Sequence, residues 1–410
     1  MKLLRSIGRG VGSRGVLVRL GGAGLITATV AAVVIVAWPR SGTSLTTIGF
    51  VQRSGPNLTL DGQPFRFAGT NNYYLIYSSK YMVDDVLNTA ATSGFAVVRT
   101  WGWLEQAQDG VKFQSWDGSK ISYNDGATGL EHLDYVVAAA GKIGLKLVIP
   151  FTNNWSDFGG MDAYVGWAGD STHDAFYTDP KIRQWFRAWI AHLLNHVNSI
   201  TGIAYKDDPT IMAWELANEP SSVGSALAAS DQCTTATITS WAADMSTYVK
   251  SIDSRHLLGS GSNGFLDQPG ATDFTLNGSG GVDEVALAKL PNIDLLSYHL
   301  YPEAWGKDSA WATTWITQHI SLAKSIGKPS MLGEFAWKTP DDRNEVYKSW
   351  TDTVYSGGGT GALFWMLSGA QDDGTPFPDY DGATVYCPSP VCATIGDFSR
   401  KMLDPAATGS

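Results

Sequence analysis

The chain has 410 residues, of which 44% are hydrophobic and 17% charged, so it can bury a large core and is not a disordered polyelectrolyte. The first 40 residues contain six Lys or Arg and no acid, which leaves 23 basic against 39 acidic residues beyond them. A body with this excess of acid repels phosphate backbones, which excludes nucleic-acid binding through a basic surface. The length suits two or three ordinary domains or one α/β barrel with insertions.

Residues 1–40 have the pattern of an export signal. Five cations, from Lys2 to Arg19, precede an uncharged apolar run of 19 residues that ends at Trp38. The run is close to the roughly 20 residues that span a bilayer, and no clean small-x-small cleavage site follows it. A cleaved signal peptide and a retained signal anchor therefore both stay open, whereas a buried core helix fits the cations poorly. In either case we expect an extracellular body that meets the membrane only through this segment.

Short apolar runs and longer helical patterns alternate along residues 46–405. Eight strands that are each roughly followed by a helix predict a single (β/α)8 barrel domain. A doubly wound sheet is the alternative, but no GxGxxG sequence follows the first strand. The predicted strands are Phe65–Thr70, Ala96–Thr100, Leu145–Phe151, Ile211–Leu216, His256–Ser260, Leu295–Leu300, Ser330–Phe335 and Ala362–Leu367. The predicted helices are Val83–Ser93, Gly129–Ile143, Lys181–Val197, Thr237–Ser251, Ser309–Ile326 and Asp341–Tyr355.

The three cysteines are consistent with export. Cys387 and Cys392 are spaced to close a small surface loop by a disulfide in an oxidising compartment, which leaves Cys233 as a buried, unpaired thiol. The sequence contains no CxxC pair, and its seven His form no HExxH or His-rich cluster. A catalytic metal is therefore not indicated. We also expect a monomer that needs no cofactor.

Two carboxylates follow predicted strands. Glu219 comes directly after the fourth strand, in the sequence Asn218-Glu219-Pro220, and Glu334 ends the seventh. Barrel enzymes carry their chemistry at the carboxyl ends of the strands, so these side chains are expected to meet there. Two carboxyl groups about 5–5.5 Å apart are what retaining glycoside hydrolysis requires, one as nucleophile and one as proton donor.

Neighbouring strand ends supply groups that would tune this pair. Burial and the anionic nucleophile should raise the pKa of the acid. Arg99, at the end of the second strand, should lower the pKa of the nucleophile. His299 and Tyr301, at the end of the sixth, are expected to hydrogen-bond the same carboxylate. Trp365 in the eighth strand offers a flat apolar floor for a sugar, and some of the other 15 Trp should line the same groove.

Motifs at these strand ends resemble glycoside hydrolase family 5. The resemblance rests on the segments Thr210–Pro220, Ser297–Pro302 and Gly333–Phe335. Within that family, the segments Gly69–Leu75, Thr152–Trp155, Gly159–Asp162 and Tyr177–Pro180 are similar to those of the secreted endo-β-1,4-mannanases. The resemblance implies a (β/α)8 enzyme that needs no cofactor and hydrolyses mannan, glucomannan or galactomannan with retention.

The resemblance also implies residue roles. It makes Glu219 the acid/base, Glu334 the nucleophile and Asn218 the hydrogen-bond partner of the sugar 2-hydroxyl. The remaining expected substrate-binding residues are Arg99, Trp101, Asn153, His299, Tyr301, Trp305 and Trp365.

One position departs from the pattern. Such mannanases often carry Arg directly after the Asn-Glu-Pro sequence, where this chain has Ser221. Affinity on the leaving-group side and any transfer of sugars therefore stay open. A β-1,4-glucanase of the same family, a non-catalytic polysaccharide-binding barrel and a transglycosylase are the alternative interpretations.

Overall fold

Eight parallel strands form a ring in the computed structural model, which describes residues 49–404. Strands β1 to β5 pair in order along the chain, β6 pairs with β7 and β7 with β8, and β8 pairs with β1. A parallel bridge between Gly259 and Leu295 joins the remaining edges, so the predicted (β/α)8 barrel is confirmed. The strands are β1 Phe67–Asn71, β2 Val97–Arg99, β3 Lys146–Pro150, β4 Ile211–Glu215, β5 Leu257–Gly259, β6 Leu296–Leu300, β7 Ser330–Phe335 and β8 Gly361–Phe364.

All eight strands are buried along their whole length. Helices cover their outer side and side chains fill the barrel, which explains why they were recognisable as continuous apolar runs rather than alternating patterns. The eighth strand is shorter than predicted and ends at Phe364. Beyond it the backbone leaves the barrel, and Leu367–Ser368 pairs instead with Val385–Tyr386.

Ten α-helices lie in the described residues. All six predicted helices are present, with ends within three residues of those expected. Four others were not predicted, because three are nine residues or shorter and the fourth follows a Pro-rich stretch. The helices are α1 Lys80–Thr92, α2 Glu131–Ile143, α3 Gly160–Ala168, α4 Ala175–Thr178, α5 Pro180–Asn195, α6 Thr235–Ile252, α7 Glu284–Lys289, α8 Ser309–Ser325, α9 Arg343–Gly357 and α10 Pro390–Leu403.

The carboxyl-terminal region contains helix α10. Ser389 caps its first turn by accepting the backbone N–H of Cys392, and Pro390 occupies a position where its missing N–H costs nothing. The buried face of the helix, which includes Ile395 and Phe398, packs against α9 and β1. Apolar residues at helical spacing therefore outweigh the local Pro residues and form a helix that docks on the barrel.

The cysteines take the following states. Cys387 and Cys392 are joined by a disulfide, which connects the start of α10 to the segment before it. Cys233 is a free, half-buried thiol that accepts a hydrogen bond from Ser222, and burial raises the pKa of this thiol to about 11.

An antiparallel sheet closes one end of the barrel. It consists of Val51–Ser54, Asn57–Leu60 and Gln63–Pro64. Its apolar side chains share a core cluster with Phe67 and Leu257, the first residues of β1 and β5. The sheet therefore covers the amino-terminal ends of the strands and leaves their carboxyl ends open.

The export signal predicted in residues 1–40 lies outside the described residues. Among residues 49–404, no helix combines the length and the apolar character needed to cross a bilayer.

Docking of α10 gives the first testable prediction. We expect Phe398→Ala to lower the free energy of unfolding by about 3–4 kcal/mol, because it removes a buried aromatic ring and leaves a cavity between α10 and the barrel. Asp397→Ala, at an exposed position of the same helix, should change it by less than about 0.5 kcal/mol. Urea unfolding of both variants checks this, and equal stabilities would contradict the docking of α10.

Candidate active site

A buried arginine lies at the centre of the open end of the barrel. Arg99 ends β2 and is fully buried. Its guanidinium donates to Glu215 Oε2 (2.8 Å), to Glu334 Oε1 (2.5 Å) and to Asn218 Oδ1 (2.7 Å). A weaker contact of 3.2 Å reaches Asn71 Oδ1. One cation therefore holds three acceptors in a single arrangement. Glu215 lies on β4, Asn218 follows β4, and Glu334 lies on β7.

Glu215 balances charge within the barrel. Its second carboxylate oxygen accepts a hydrogen bond of 2.9 Å from the Ser297 hydroxyl, so both of its oxygens are used by protein partners. Burial lowers the pKa of Arg99, but the carboxylates of Glu215 and Glu334 outweigh that effect and raise it above its ordinary value. Arg99 is thus a permanent cation, as expected for guanidinium.

Glu334 lies on β7 and is held on both sides. Arg99 contacts Oε1, and the Tyr301 hydroxyl donates to Oε2. The nearer nitrogen of His299 is 3.6 Å from Oε2, longer than an ordinary hydrogen bond. Only Tyr301 of the two residues predicted to bond this carboxylate does so.

His299 contacts the other carboxylate. Its Nδ1 lies 2.7 Å from Glu219 Oε1, and the indole N–H of Trp155 donates to Glu219 Oε2 at 2.6 Å. The prediction that His299 and Tyr301 share one partner is therefore wrong. Both come from the end of β6 but contact different acids. Residues two apart in a regular strand point to the same side, but Tyr301 lies just beyond the last strand residue, so the strand does not set its direction.

The backbone holds Glu219 in an uncommon conformation. Its φ is +52°, in the left-handed region, which few residues other than glycine adopt. Its N–H donates to the Gly261 carbonyl at 2.8 Å, and the N–H of Asn218 donates to Thr152 at 2.7 Å. These bonds to the loops after β5 and β3 fix the turn that directs the carboxylate into the cleft.

The two carboxyl groups face each other closely. One oxygen of Glu219, one of Glu334 and a nitrogen of His299 all lie within 4.8 Å of one another. The separation is shorter than the roughly 6.5–9.5 Å that an inverting glycosidase needs to place a water between its carboxyls. It suits a mechanism in which one carboxylate attacks the sugar directly.

The protonation preferences differ from those expected. Burial acts to raise the pKa of Glu219, but hydrogen bonds from His299 and Trp155 and nearby positive charge bring it below its ordinary value. Burial raises the pKa of Glu334, and the opposing effects of His299 and Arg99 do not cancel that rise. The prediction that the pKa of the acid, Glu219, is raised and that of the nucleophile, Glu334, is lowered is therefore wrong for the free site. Because the groups interact strongly, they titrate as a pair.

Aromatic rings line the cleft around these acids. Its volume is about 420 Å³, and Trp101 and Trp365 lie side by side in its wall with centroids 5.7 Å apart. Tyr73 stacks on Trp365 at 6.0 Å, and the Trp365 indole donates to Asp381 at 2.6 Å. Flat apolar surfaces next to carboxylates are suited to sugar rings, which have apolar faces and polar edges.

A sequence model described as GH family 5 beta-mannosidase-like matches residues 48–377. The chain belongs to glycoside hydrolase family 5. Its family 5 relatives include mannan endo-1,4-beta-mannosidase F of Aspergillus fumigatus, to which it is 37% identical over 82% of this chain and 74% of the relative. It is 36% identical to the probable mannan endo-1,4-beta-mannosidase A of Aspergillus flavus, over 85% of this chain and 86% of that protein.

Solved structures of family 5 enzymes agree with this assignment. The endo-1,4-beta-mannanase of Rhizomucor miehei superposes with a TM-score of 0.83 at 39% identity, covering 86% of this chain and 99% of that one. The endo-1,4-beta-D-mannanase of Thermotoga petrophila gives a TM-score of 0.74 at 36% identity over 82% and 99%.

The other residues predicted for this family 5 site take different places. Asn153 and Asn218 both line the cleft, and the Asn218 amide donates to Asn153 Oδ1 at 3.0 Å. Trp305 is not among the residues that line the cleft. Its ring packs against Phe265 and Trp315. Ser221 is buried, and its hydroxyl donates to the Gly280 carbonyl at 2.9 Å.

Several cleft residues were not predicted. Trp155 ends one of the segments that resemble the mannanases, and its N–H donates to Glu219 directly. Tyr73, Tyr380 and Asp381 also line the cleft. The aromatic and acidic residues at 377–381 were the available signal, but no strand end marked them.

A buried acid supports the loop that carries Trp155. Glu105 accepts hydrogen bonds from the Gln114 amide (2.5 Å) and from the Gly160 N–H (3.0 Å), while its own N–H donates to the Phe158 carbonyl at 2.9 Å. Phe158 itself has a φ of +63°. Burial raises the pKa of Glu105 to about 8 against the opposing hydrogen bonds.

This pKa predicts a pH-dependent stability. Folded Glu105 keeps its proton up to pH about 8, whereas the unfolded chain releases it near pH 4.5, so its contribution to the free energy of unfolding falls as pH rises between these values. Relative to wild type, Glu105→Gln should therefore gain up to roughly 4 kcal/mol between pH 5 and pH 9. Denaturant unfolding across this range measures the difference. The free energy of unfolding of Glu131→Gln, a change at an exposed site, should depend on pH as that of wild type does. The same pH dependence in Glu105→Gln would refute the raised pKa of Glu105.

Proposed function

We propose that this chain is an endo-acting mannan endo-1,4-β-mannosidase that hydrolyses its substrate with net retention. The observation that carries the proposal is the close approach of Glu219 and Glu334 at the ends of β4 and β7, with an aromatic cleft beside them. The names of relatives that are 36–39% identical over more than four-fifths of this chain support mannan as the substrate.

In the first step Glu334 attacks the anomeric carbon while Glu219 gives its proton to the leaving glycosidic oxygen. The bond from carbon to the leaving sugar breaks as the bond to the Glu334 oxygen forms. Arg99 and Tyr301 hold Glu334 in position and stabilise its negative charge before attack. Asn218, oriented by Arg99 and Asn153, is placed to bond the sugar 2-hydroxyl.

In the second step Glu219 acts as the base. It takes a proton from water, whose oxygen attacks the same carbon and releases Glu334. The first step requires the proton on Glu219 once a sugar is bound. A sugar ring removes water from this carboxyl and presents an ether oxygen to it, and both effects favour the neutral form. The contacts to His299 and Trp155 keep the carboxyl aimed through both steps.

We also propose the placement of the chain. Residues 1–40 act as a signal peptide or signal anchor, and residues 46–405 are an extracellular, monomeric catalytic domain. The concentration of cations in the first 40 residues supports this division.

The carboxylate roles predict that replacing either residue abolishes most of the activity. Glu334→Gln and Glu219→Gln should each lower mannan hydrolysis by at least about a thousandfold, because each loses one of the two reacting groups. Glu131→Gln, at an exposed position, should retain wild-type activity.

An aryl β-mannobioside with an acidic phenol separates the two roles, since its leaving group needs no proton. Glu219→Gln should release a burst of phenol equal to the enzyme concentration and then turn over slowly, whereas Glu334→Gln should release none. Undiminished mannan hydrolysis by Glu334→Gln would rule out its role as nucleophile.

Products of defined oligosaccharides test substrate and stereochemistry together. Mannohexaose should be cut internally to shorter mannooligosaccharides, and NMR should detect the β-anomer before mutarotation. Faster cleavage of cellohexaose would identify a glucanase, and a first-formed α-anomer would contradict retention. Products longer than the substrate at high concentration would indicate transglycosylation.

A further inference from the structure

Two histidines and an aspartate meet on the outside of the barrel. His192 lies in α5, and His196 follows just beyond its end, one helical turn away. Asp125 comes from the connection between β2 and α2. Its Oδ1 lies 2.7 Å from His192 Nε2 and 3.5 Å from His196 Nδ1, and one ligand atom from each residue falls within 4.8 Å of the others.

One ring nitrogen of His196, Nε2, is fixed by a buried acid. His196 Nε2 lies 2.9 Å from Asp134 Oδ1, which also accepts the Tyr205 hydroxyl at 2.7 Å. The second oxygen of Asp134 accepts the Ser199 N–H at 2.9 Å. A carboxylate so fully supplied with donors holds the His196 proton on Nε2, which leaves Nδ1 with a free electron pair on the side of Asp125. Histidines that bind metals are commonly oriented by such a carboxylate.

We propose that Asp125, His192 and His196 bind a zinc ion, with water as the fourth ligand. Two imidazole nitrogens and one carboxylate oxygen form a donor set that suits zinc. Bonds of about 2.0–2.1 Å in a tetrahedron separate ligand atoms by about 3.3 Å. The contact of 3.5 Å already has this spacing, and the contact of 2.7 Å must open by about 0.6 Å.

The surroundings allow that adjustment. The Asp125 side chain is 53% exposed, so it can shift and water can reach the ion, whereas His196 is 7% exposed and firmly held. None of the three ligands lines the catalytic cleft. The ion would join the end of α5 to the hairpin Gln114–Tyr123, whose Tyr123 ring stacks on His192 at 4.3 Å. The site is therefore structural.

Zinc titration of the purified full chain, first stripped with a chelator, tests the proposal at neutral pH. We expect one zinc per chain by elemental analysis and, with cobalt as a probe, the visible absorption of a tetrahedral ion. Zinc at a hundredfold excess over its dissociation constant should raise the melting temperature by roughly 3–4 °C. His192→Ala, His196→Ala and Asp125→Asn should each weaken binding at least tenfold, and Asp134→Asn should weaken it without removing a ligand.

Two controls keep the result interpretable. Asp117→Asn removes an exposed acid from the same hairpin and should bind zinc like wild type. Glu219, His299 and Glu334 also offer close ligand atoms, so Glu334→Gln is titrated in parallel and should keep the structural ion. The proposal would be overturned if zinc uptake disappeared in Glu334→Gln, if Asp125→Asn bound zinc as tightly as wild type, or if wild type bound none.

Discussion

The site depends on one buried cation shared among buried acceptors. Removing a guanidinium and two carboxylates from water is costly, and the cost is recovered only while every partner of Arg99 stays in place. The ion pair with Glu215 anchors the arginine to β4, so its remaining donors can hold Glu334 and Asn218 without freedom to reorient. Loss of any one contact would leave a buried charge without its partner, so Arg99 couples the ends of strands that are distant in sequence.

The two acids are held by different residues on different kinds of backbone. Glu334 stands on a strand and is held by Arg99 and Tyr301, whereas Glu219 stands on a strained turn and is held by His299 and by Trp155 from a loop. A nucleophile gains from rigidity, because attack needs a fixed direction. An acid/base must serve two different oxygens in successive steps. Glu219 depends for this on its bond from Trp155, whose loop is held in place by Glu105.

The parts of the molecule that repeat were predictable, and the parts that converge from distant loops were not. Buried strands are readable as apolar runs, and the barrel then places Glu219 and Glu334 together without further information. The partner of His299 depends on side-chain direction at a strand end, which spacing does not specify. His192 and His196 are one turn apart in sequence, but Asp125 is 67 residues from His192, so the cluster was missed.

The cleft is completed by the end of the chain. β8 closes the ring by pairing with β1 across almost 300 residues, and Trp365 then stacks on Tyr73 while Asp381 holds its indole. Because a polypeptide leaves the ribosome from its amino terminus, both acids emerge before the part of the cleft wall that Trp365 and Asp381 form. The sugar-binding cleft therefore cannot be complete until nearly the whole chain has been synthesised.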